Sequence, residues 1–159
     1  MVFRTFYPSP LGSIILESDG TALTGLRFSD DAPVDTVNDD PLPVFRQTKA
    51  WLDRYFARGK PDQMLKLHLI GTPFQTAIWE LLRKIPYGQT VTYGQLAQQY
   101  AELRGLPRCS AQAIGGALAR NPILLLVPCH RVIGANGSLT GFAAGLERKK
   151  CLLALEGVL

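Results

Sequence analysis

The chain has 159 residues, 47% of them apolar and 19% charged, with a formal net charge of +4. This is a globular balance with room for one domain or two small ones, and it excludes a chain built on membrane-spanning helices, because no apolar run approaches the ~20 residues that cross a bilayer. The three cysteines, Cys109, Cys129 and Cys151, are odd in number and widely spaced, which excludes a disulfide framework, and no pair has the spacing of a zinc site. Met1-Val2-Phe3-Arg4-Thr5 lacks the sustained apolar stretch of a signal peptide, so the expectation is a cytoplasmic protein without a structural metal.

Charge divides the chain. Residues 1–70 carry 8 Lys and Arg against 9 Asp and Glu, whereas residues 71–159 carry 9 against 4. A basic second half suits a polyanionic partner, and solvated surface charge gives the same count.

Three short alternating segments open the chain, Val2 to Tyr7, Ser13 to Ser18 and Ala22 to Phe28. Turn residues at Pro8 to Gly12 and at Asp19-Gly20-Thr21 separate them, so three strands are predicted. Residues 29–43, rich in Asp and Pro, read as a surface loop. Phe45, Thr48, Trp51, Leu52, Tyr55 and Phe56 share one helical face and predict a helix from about 44 to 57. Leu65, Leu67 and Leu69 alternate and predict one more strand. His68 stands alone there and reads as a surface or core histidine.

The second half reads as mostly helical. Thr72-Pro73-Phe74-Gln75 is a capping box with proline in the first turn, and Phe74, Ile78, Leu81, Leu82 and Ile85 form the predicted buried face. Thr92-Tyr93-Gly94-Gln95 is a second capping box, starting a helix to about Tyr100, and Gly105-Leu106-Pro107 breaks the chain. Ser110 caps a third helix to about Arg120. Asn136-Gly137 is the strongest hairpin signal. A last helix runs from about Leu146 to Glu156, closed by Gly157. The predicted fold is α/β (α+β): a small N-terminal sheet-plus-helix domain over 1–70, then a mostly helical C-terminal domain over 71–159 with a helix-turn-helix. The helix from Ser110 reads Ala111-Gln112-Ala113-Ile114-Gly115-Gly116-Ala117, almost all small. Two central glycines cost about 0.8–1 kcal/mol each relative to alanine. Either another helix of the chain or an external partner approaches it closely.

Chemistry concentrates in Leu126-Val127-Pro128-Cys129-His130-Arg131-Val132. A thiol, an imidazole, the Asn121 amide and the Glu156 carboxylate are the parts of a reactive thiolate. Neighbours on an extended strand face opposite ways, so Cys129 and His130 pair only if the chain bends, through Pro128 and Asn121, or if water bridges them. Glu156 is the candidate partner for the second nitrogen of His130. Cys151 reads as a core filler and Cys109 as incidental.

Pro128-Cys129-His130-Arg131-Val132, with Asn121-Pro122 before it and Glu156-Gly157 after it, resembles the O6-alkylguanine-DNA alkyltransferases. The likeness runs from about Gly71 to Gly157, and the N-terminal half is compatible with that family's variable domain. The resemblance implies irreversible repair of double-stranded DNA carrying O6-alkylguanine, or O4-alkylthymine, by a monomer that needs no cofactor. The helix-turn-helix would enter the minor groove, the damaged base would be flipped out, and Cys129 would take the alkyl group once. It also implies His130 as a water-mediated base oriented by Glu156, Asn121 as the holder of the turn, and Tyr93 at guanine N3. Carbonyls of Cys129 and Val132 would meet the exocyclic amine and the amide of Ala143 would meet O6. Ser110, Ala111, Gln112, Gly115, Arg131 and Phe142 complete the implied substrate and DNA contacts.

This chain departs from the family pattern in three places. Gln112 stands where an intercalating arginine is usual. The connection from Gln98 to Cys109 is longer, with Arg104 and Arg108 available to phosphate. Phe142, followed by Ala143 and Ala144, replaces a tyrosine of some members and makes that wall more apolar. Two other readings are a non-catalytic lesion-binding protein on the same scaffold, which the presence of Cys129 disfavours, and a Cys-His-Glu thiol hydrolase, for which no oxyanion hole is identifiable.

Overall fold

The computed structural model describes residues 2–30, 42–139 and 141–159. The chain divides into two compact units, residues 1–70 and 71–159. Most of the predicted loop at 29–43 lies outside the described residues.

In the first unit, β1 (Phe3–Ser9), β2 (Gly12–Ser18) and β3 (Leu23–Phe28) form an antiparallel sheet in that order. A register shift at Glu17/Ser18 bends the second pairing. Asp19 organises the turn after it, accepting from the amides of Thr21 and Ala22 at 2.9 Å each, and those bonds hold its carboxyl well below the usual carboxylate range. Helix α1 (Pro43–Phe56) buries Val44, Phe45, Thr48, Leu52 and Tyr55, in a core that includes Ile14, Leu16 and Leu26 of the sheet. The strand expected at Leu65 to Leu69 is reduced to one parallel bridge between Leu67 and Leu23. Leu23 donates to Lys66 O and accepts from His68 N, both at 2.9 Å. The alternation is real, but a strand needs a row of backbone partners, and among the described residues only Leu23 supplies them. His68 is exposed and meets Asp19 at 3.1 Å.

In the second unit, α2 (Pro73–Leu82) begins at the predicted capping box, with Thr72 and Gln75 bonding reciprocally at 3.1 and 3.0 Å. Its buried residues are Ile78, Trp79 and Leu82. Phe74 and Leu81, expected inside, are half-buried. Trp79 takes the central place because its indole N–H can donate to Ala117 O at 2.9 Å, which lets a large polar-tipped ring be buried. A two-residue parallel ladder follows, β4 (Val91–Thr92) beside β5 (Val132–Ile133).

Helix α3 (Tyr93–Arg104) starts at the second capping box. It runs four residues beyond the expected end at Tyr100, because Ala101 to Arg104 are good helix formers and Gly105, at φ 67, supplies the left-handed cap. Most of the long connection is therefore helix. Ser110 caps α4 (Ala111–Ala119), accepting from Ala113 N at 3.0 Å. Asn136-Gly137 forms a turn, with Gly134 N donating to Ser138 O at 2.8 Å, but no hairpin, because Val132 and Ile133 pair with β4 instead. The last helix is α5 (Leu146–Leu155). Its buried face is Lys149, Leu152 and Leu153, and Cys151, expected in the core, is exposed. The 149, 152, 153 spacing turns position 151 outward.

The small face of α4 is not packed against another helix. A Cβ on Gly115 or Gly116 would meet no atom within 4 Å. Gly116→Ala is therefore expected to stabilise the protein by about 0.8–1 kcal/mol, read as a higher urea midpoint at unchanged slope. A lowered midpoint would mean that the helix lacks this room.

Candidate active site

The chain bends at Cys129 and His130, yet His130 Nδ1 has no hydrogen-bond partner among the described residues, which leaves the water-bridged alternative. After α4, Asn121 donates from Nδ2 to Val127 O at 2.8 Å and accepts from Ile123 N at 3.0 Å. This short buried loop holds Leu125 at φ 70, a conformation that costs a non-glycine residue on the order of 1–3 kcal/mol and persists only when its surroundings enforce it. Pro128 then leads into a single 3₁₀ turn over Cys129–Arg131, closed by Arg131 N donating to Pro128 O at 3.0 Å. The turn buries all three residues.

Glu156 sits at the end of α5 and is 6% exposed. Its Oε2 accepts from His130 Nε2 at 2.6 Å and from Arg131 Nη2 at 3.2 Å. Its Oε1 accepts from Arg131 Nε at 2.8 Å and Gly88 N at 3.2 Å. Burial works against its charge, but the hydrogen bonds from His130 and Arg131 and the Arg131 charge outweigh that and hold its carboxyl below the ordinary value. An ionised Glu156 can only accept, so His130 carries its proton on Nε2 and presents the lone pair at Nδ1. Nδ1 is buried and has no hydrogen-bond partner among the described residues. Burial lowers the His130 pKa despite the carboxylate, so the ring rests neutral and able to take a proton. Cys129 is 3% exposed. Burial pushes its thiol up to about 11, while the Asn121 hydrogen bond and the Lys149 charge pull the other way.

Cys129 lines a cavity of about 710 Å³ together with Tyr93, Ala111, Gln112, Gly115, Phe142 and Ala143. Seven of the residues singled out from sequence thus share one space, drawn from α3, α4, the 3₁₀ turn and the loop before α5. Gly94, Leu118, Ala119, Ala135 and Gly141 also line it and were not anticipated. The Tyr93 hydroxyl reaches Gly141 O at 3.5 Å, and Phe142 stands edge-on to His130 at 6.3 Å. Ser110 is the cap of α4 and is not among the lining residues.

One expectation needs correction. Arg131, expected to face DNA, is 8% exposed. It is directed inward, onto Glu156 and onto Ile85 O at 2.7 Å, because a buried carboxylate at a helix C-terminus needs a cation to offset both burial and the helix dipole. The Val132 carbonyl accepts from Lys149 Nζ at 2.6 Å, which leaves its second lone pair for the base amine that the resemblance implies. Lys149 is the residue that sequence reasoning missed. The available signal was a lysine at 149 in register with Leu152, Leu153 and Glu156 on one face of α5.

Comparison with known proteins agrees along the whole chain. Residues 73–158 match the family described as 6-O-methylguanine DNA methyltransferase, DNA binding domain. Residues 2–69 match 6-O-methylguanine DNA methyltransferase, ribonuclease-like domain. The chain is 40% identical to the methylated-DNA–protein-cysteine methyltransferase of Haemophilus influenzae, over 99% of this chain and 87% of that protein. It is 41% identical to the protein so named from Methanosarcina acetivorans, over 98% and 99%. A crystal structure of Mycobacterium tuberculosis OGT in complex with DNA superposes with a TM-score of 0.82 at 39% identity, covering 96% of this chain and 91% of that one. A site built around Cys129, His130 and Glu156, on a fold and sequence shared over nearly their full length, places the chain in the O6-methylguanine-DNA methyltransferase family.

Proposed function

We propose that Cys129 is the acceptor in the direct repair of O6-methylguanine, the methylated-DNA–protein-cysteine methyltransferase activity of this family. The observation that carries the reading is that Cys129 lines the cavity while its neighbour His130 is fixed by Glu156. The thiol proton passes to His130 Nδ1 through a bridging water. The thiolate attacks the saturated carbon on O6, the S–C bond forms, and the C–O bond breaks with its electron pair leaving on the guanine, which takes up a proton. Soft sulfur suits this displacement, and the thioether is stable, so each molecule acts once and no cofactor enters. Asn121 holds the turn, and Tyr93 serves the leaving base.

The DNA partner is double-stranded and carries O6-alkylguanine. The support is a relative solved in complex with DNA, the basic balance of residues 71–159, and the open small face of α4. That face enters the minor groove, with Ala111, Gln112 and Gly115 toward the flipped base. The unit at 71–159 thus combines DNA binding and transfer. Phe142 and Ala143 give the pocket an apolar wall against the alkyl group.

Mixing the protein with a duplex containing one O6-methylguanine is expected to add one methyl group at Cys129 and saturate at one per molecule by intact mass and peptide mapping. Cys129→Ala should bind the duplex and transfer nothing; residual stoichiometric transfer would move the nucleophile elsewhere, and a bound lesion with unchanged wild-type mass would indicate a recognition protein. Gln112→Arg is expected to tighten lesion binding or speed transfer, by fluorescence titration and quenched kinetics, and no change would remove this position from base flipping. Glu156→Gln should slow transfer by about 10²-fold or more and cost roughly 3 kcal/mol, since it unfixes His130 and leaves the Arg131 charge buried without its partner.

The pH dependence of stability follows from the same groups. His130 and Glu156 both have lowered folded-state values, so the unfolded chain binds protons that the folded chain refuses. The His130 contribution is fully present above the ordinary His value of 6.5 and is lost as the pH drops below it. Stability falls again below the ordinary Glu value of 4.5, through Glu156. Urea midpoints measured across this range should decline toward acid, and a flat profile would contradict a buried neutral His130.

A further inference from the structure

Residues 103–146 contain no Asp or Glu, although they carry α4, the 3₁₀ turn and the loop that walls the cavity. Four arginines fall in this stretch, Arg104, Arg108, Arg120 and Arg131. Arg131 is buried on Glu156, and Arg120 ends α4. Arg104 and Arg108 flank the connection between α3 and α4, which is fixed at both ends. Gly105 caps α3 at φ 67, and Leu106 N returns to Ala101 O at 2.8 Å. Pro107 restricts the backbone, and Ser110 then caps α4.

Both arginines are exposed, and neither enters an ion pair among the described residues. Glu102, the acid nearest in sequence, is held by Gln98 at 3.2 Å. Arg104 lies over the Tyr100 ring, 5.8 Å from its centre, and Tyr100 meets Phe74 edge-on at 5.0 Å, so this guanidinium has a seat before any partner arrives. Arg104 follows Tyr93, which lines the cavity, by about three helical turns and returns to within roughly 20° of the same face of α3. Arg108 precedes Ala111, another lining residue, by a span of about 11 Å at most.

We propose that the connection from Arg104 to Arg108 is a second DNA contact, in which both guanidiniums bind phosphates of the backbone beside the groove that α4 enters. The inference rests on the repair reading and deepens it: α4 reaches the lesion, while the connection supplies affinity for the duplex that is independent of sequence. A guanidinium suits this because its planar fork donates two parallel bonds to one phosphate. Leu103 and Leu106, 63% and 47% exposed, lie in the same segment and suit a protein partner. The lack of any acid over 103–146 favours DNA, since apolar docking requires no such bias of charge.

The test is the salt dependence of binding to an undamaged duplex, followed by fluorescence anisotropy with the full chain. Arg104→Gln/Arg108→Gln is expected to flatten the slope of log K against log salt by about 2 and to weaken binding roughly tenfold or more at low salt, with convergence at high salt. The half-saturating concentration of an O6-methylguanine duplex in methyl transfer should rise in step. Arg104→Lys/Arg108→Lys keeps the charges and should retain most of the wild-type slope. Arg46→Gln/Lys60→Gln removes the same charge from exposed positions of the first unit and is expected to keep the wild-type slope. A folded glutamine pair at 104 and 108 with the wild-type slope overturns the inference and leaves the segment to a protein partner. An equal loss in the Arg46 and Lys60 pair also overturns it, because net charge would then be the cause. If the glutamine pair does not fold, the single substitutions replace it, each with an expected slope change near 1. A wild-type chain that does not bind the duplex overturns both readings. Binding without transfer overturns the acceptor reading alone, and the slopes still judge the connection.

Discussion

The structure of the second unit depends on one buried carboxylate. Glu156 receives His130, Arg131 and the amide of Gly88, and Arg131 reaches on to Ile85 O. The end of α5, the 3₁₀ turn and the segment after α2 are thereby fixed to a single group. A charge taken out of water costs several kcal/mol, and the cost is recovered only when every lone pair is engaged in good geometry. The position at a helix C-terminus adds an unfavourable dipole. Such a placement is stable only with the guanidinium fork of Arg131 on it, which explains why an arginine next to the cysteine points into the protein and not toward a ligand.

That constraint shapes the chemistry. Because Glu156 is ionised, His130 has one tautomer available, and its free nitrogen is a base. Because Cys129 is buried, its thiol is pushed up to about 11. Ionising it at neutral pH costs roughly 5 kcal/mol. On the proposed function, the thiol proton has to be removed when the substrate fills the cavity.

The parts of this arrangement that were legible in the sequence are those with local signals. Both capping boxes, the Ser110 cap, the three opening strands and the closing helix follow from side chains that satisfy nearby backbone or repeat at a fixed period. The pairing of His130 with Glu156 was legible from the oddity of a carboxylate at an apolar helix end. What was not legible depends on partners distant in sequence. Leu65 to Leu69 alternates like a strand but finds only Leu23 to pair with. Asn136-Gly137 turns as expected but lies beside a strand already claimed by β4. Arg131 reads as a surface cation until Glu156 and Ile85 are seen around it, and Lys149 as a helix-surface lysine until two carbonyls are found on it. Both are charges whose burial is explained by acceptors that no spacing rule predicts. Cys151 fails in the opposite sense, because hydrophobic character suggested burial and helical phase overruled it.

Helix α4 joins stability to access. Its glycines lower its intrinsic propensity, and short helices draw their stability from one packed face. Here Ile114, Ala117 and Leu118 are buried behind it, and the indole of Trp79 fastens Ala117 O from the same side. The helix is held from the rear so firmly that its front can be left bare. Side chains at Gly115 and Gly116 would have added propensity, and among the described residues nothing lies within 4 Å of a Cβ at either position. Their absence is therefore not a packing requirement of the fold. On the proposed function it leaves room for close approach from outside, on the helix that forms one wall of the cavity containing Cys129.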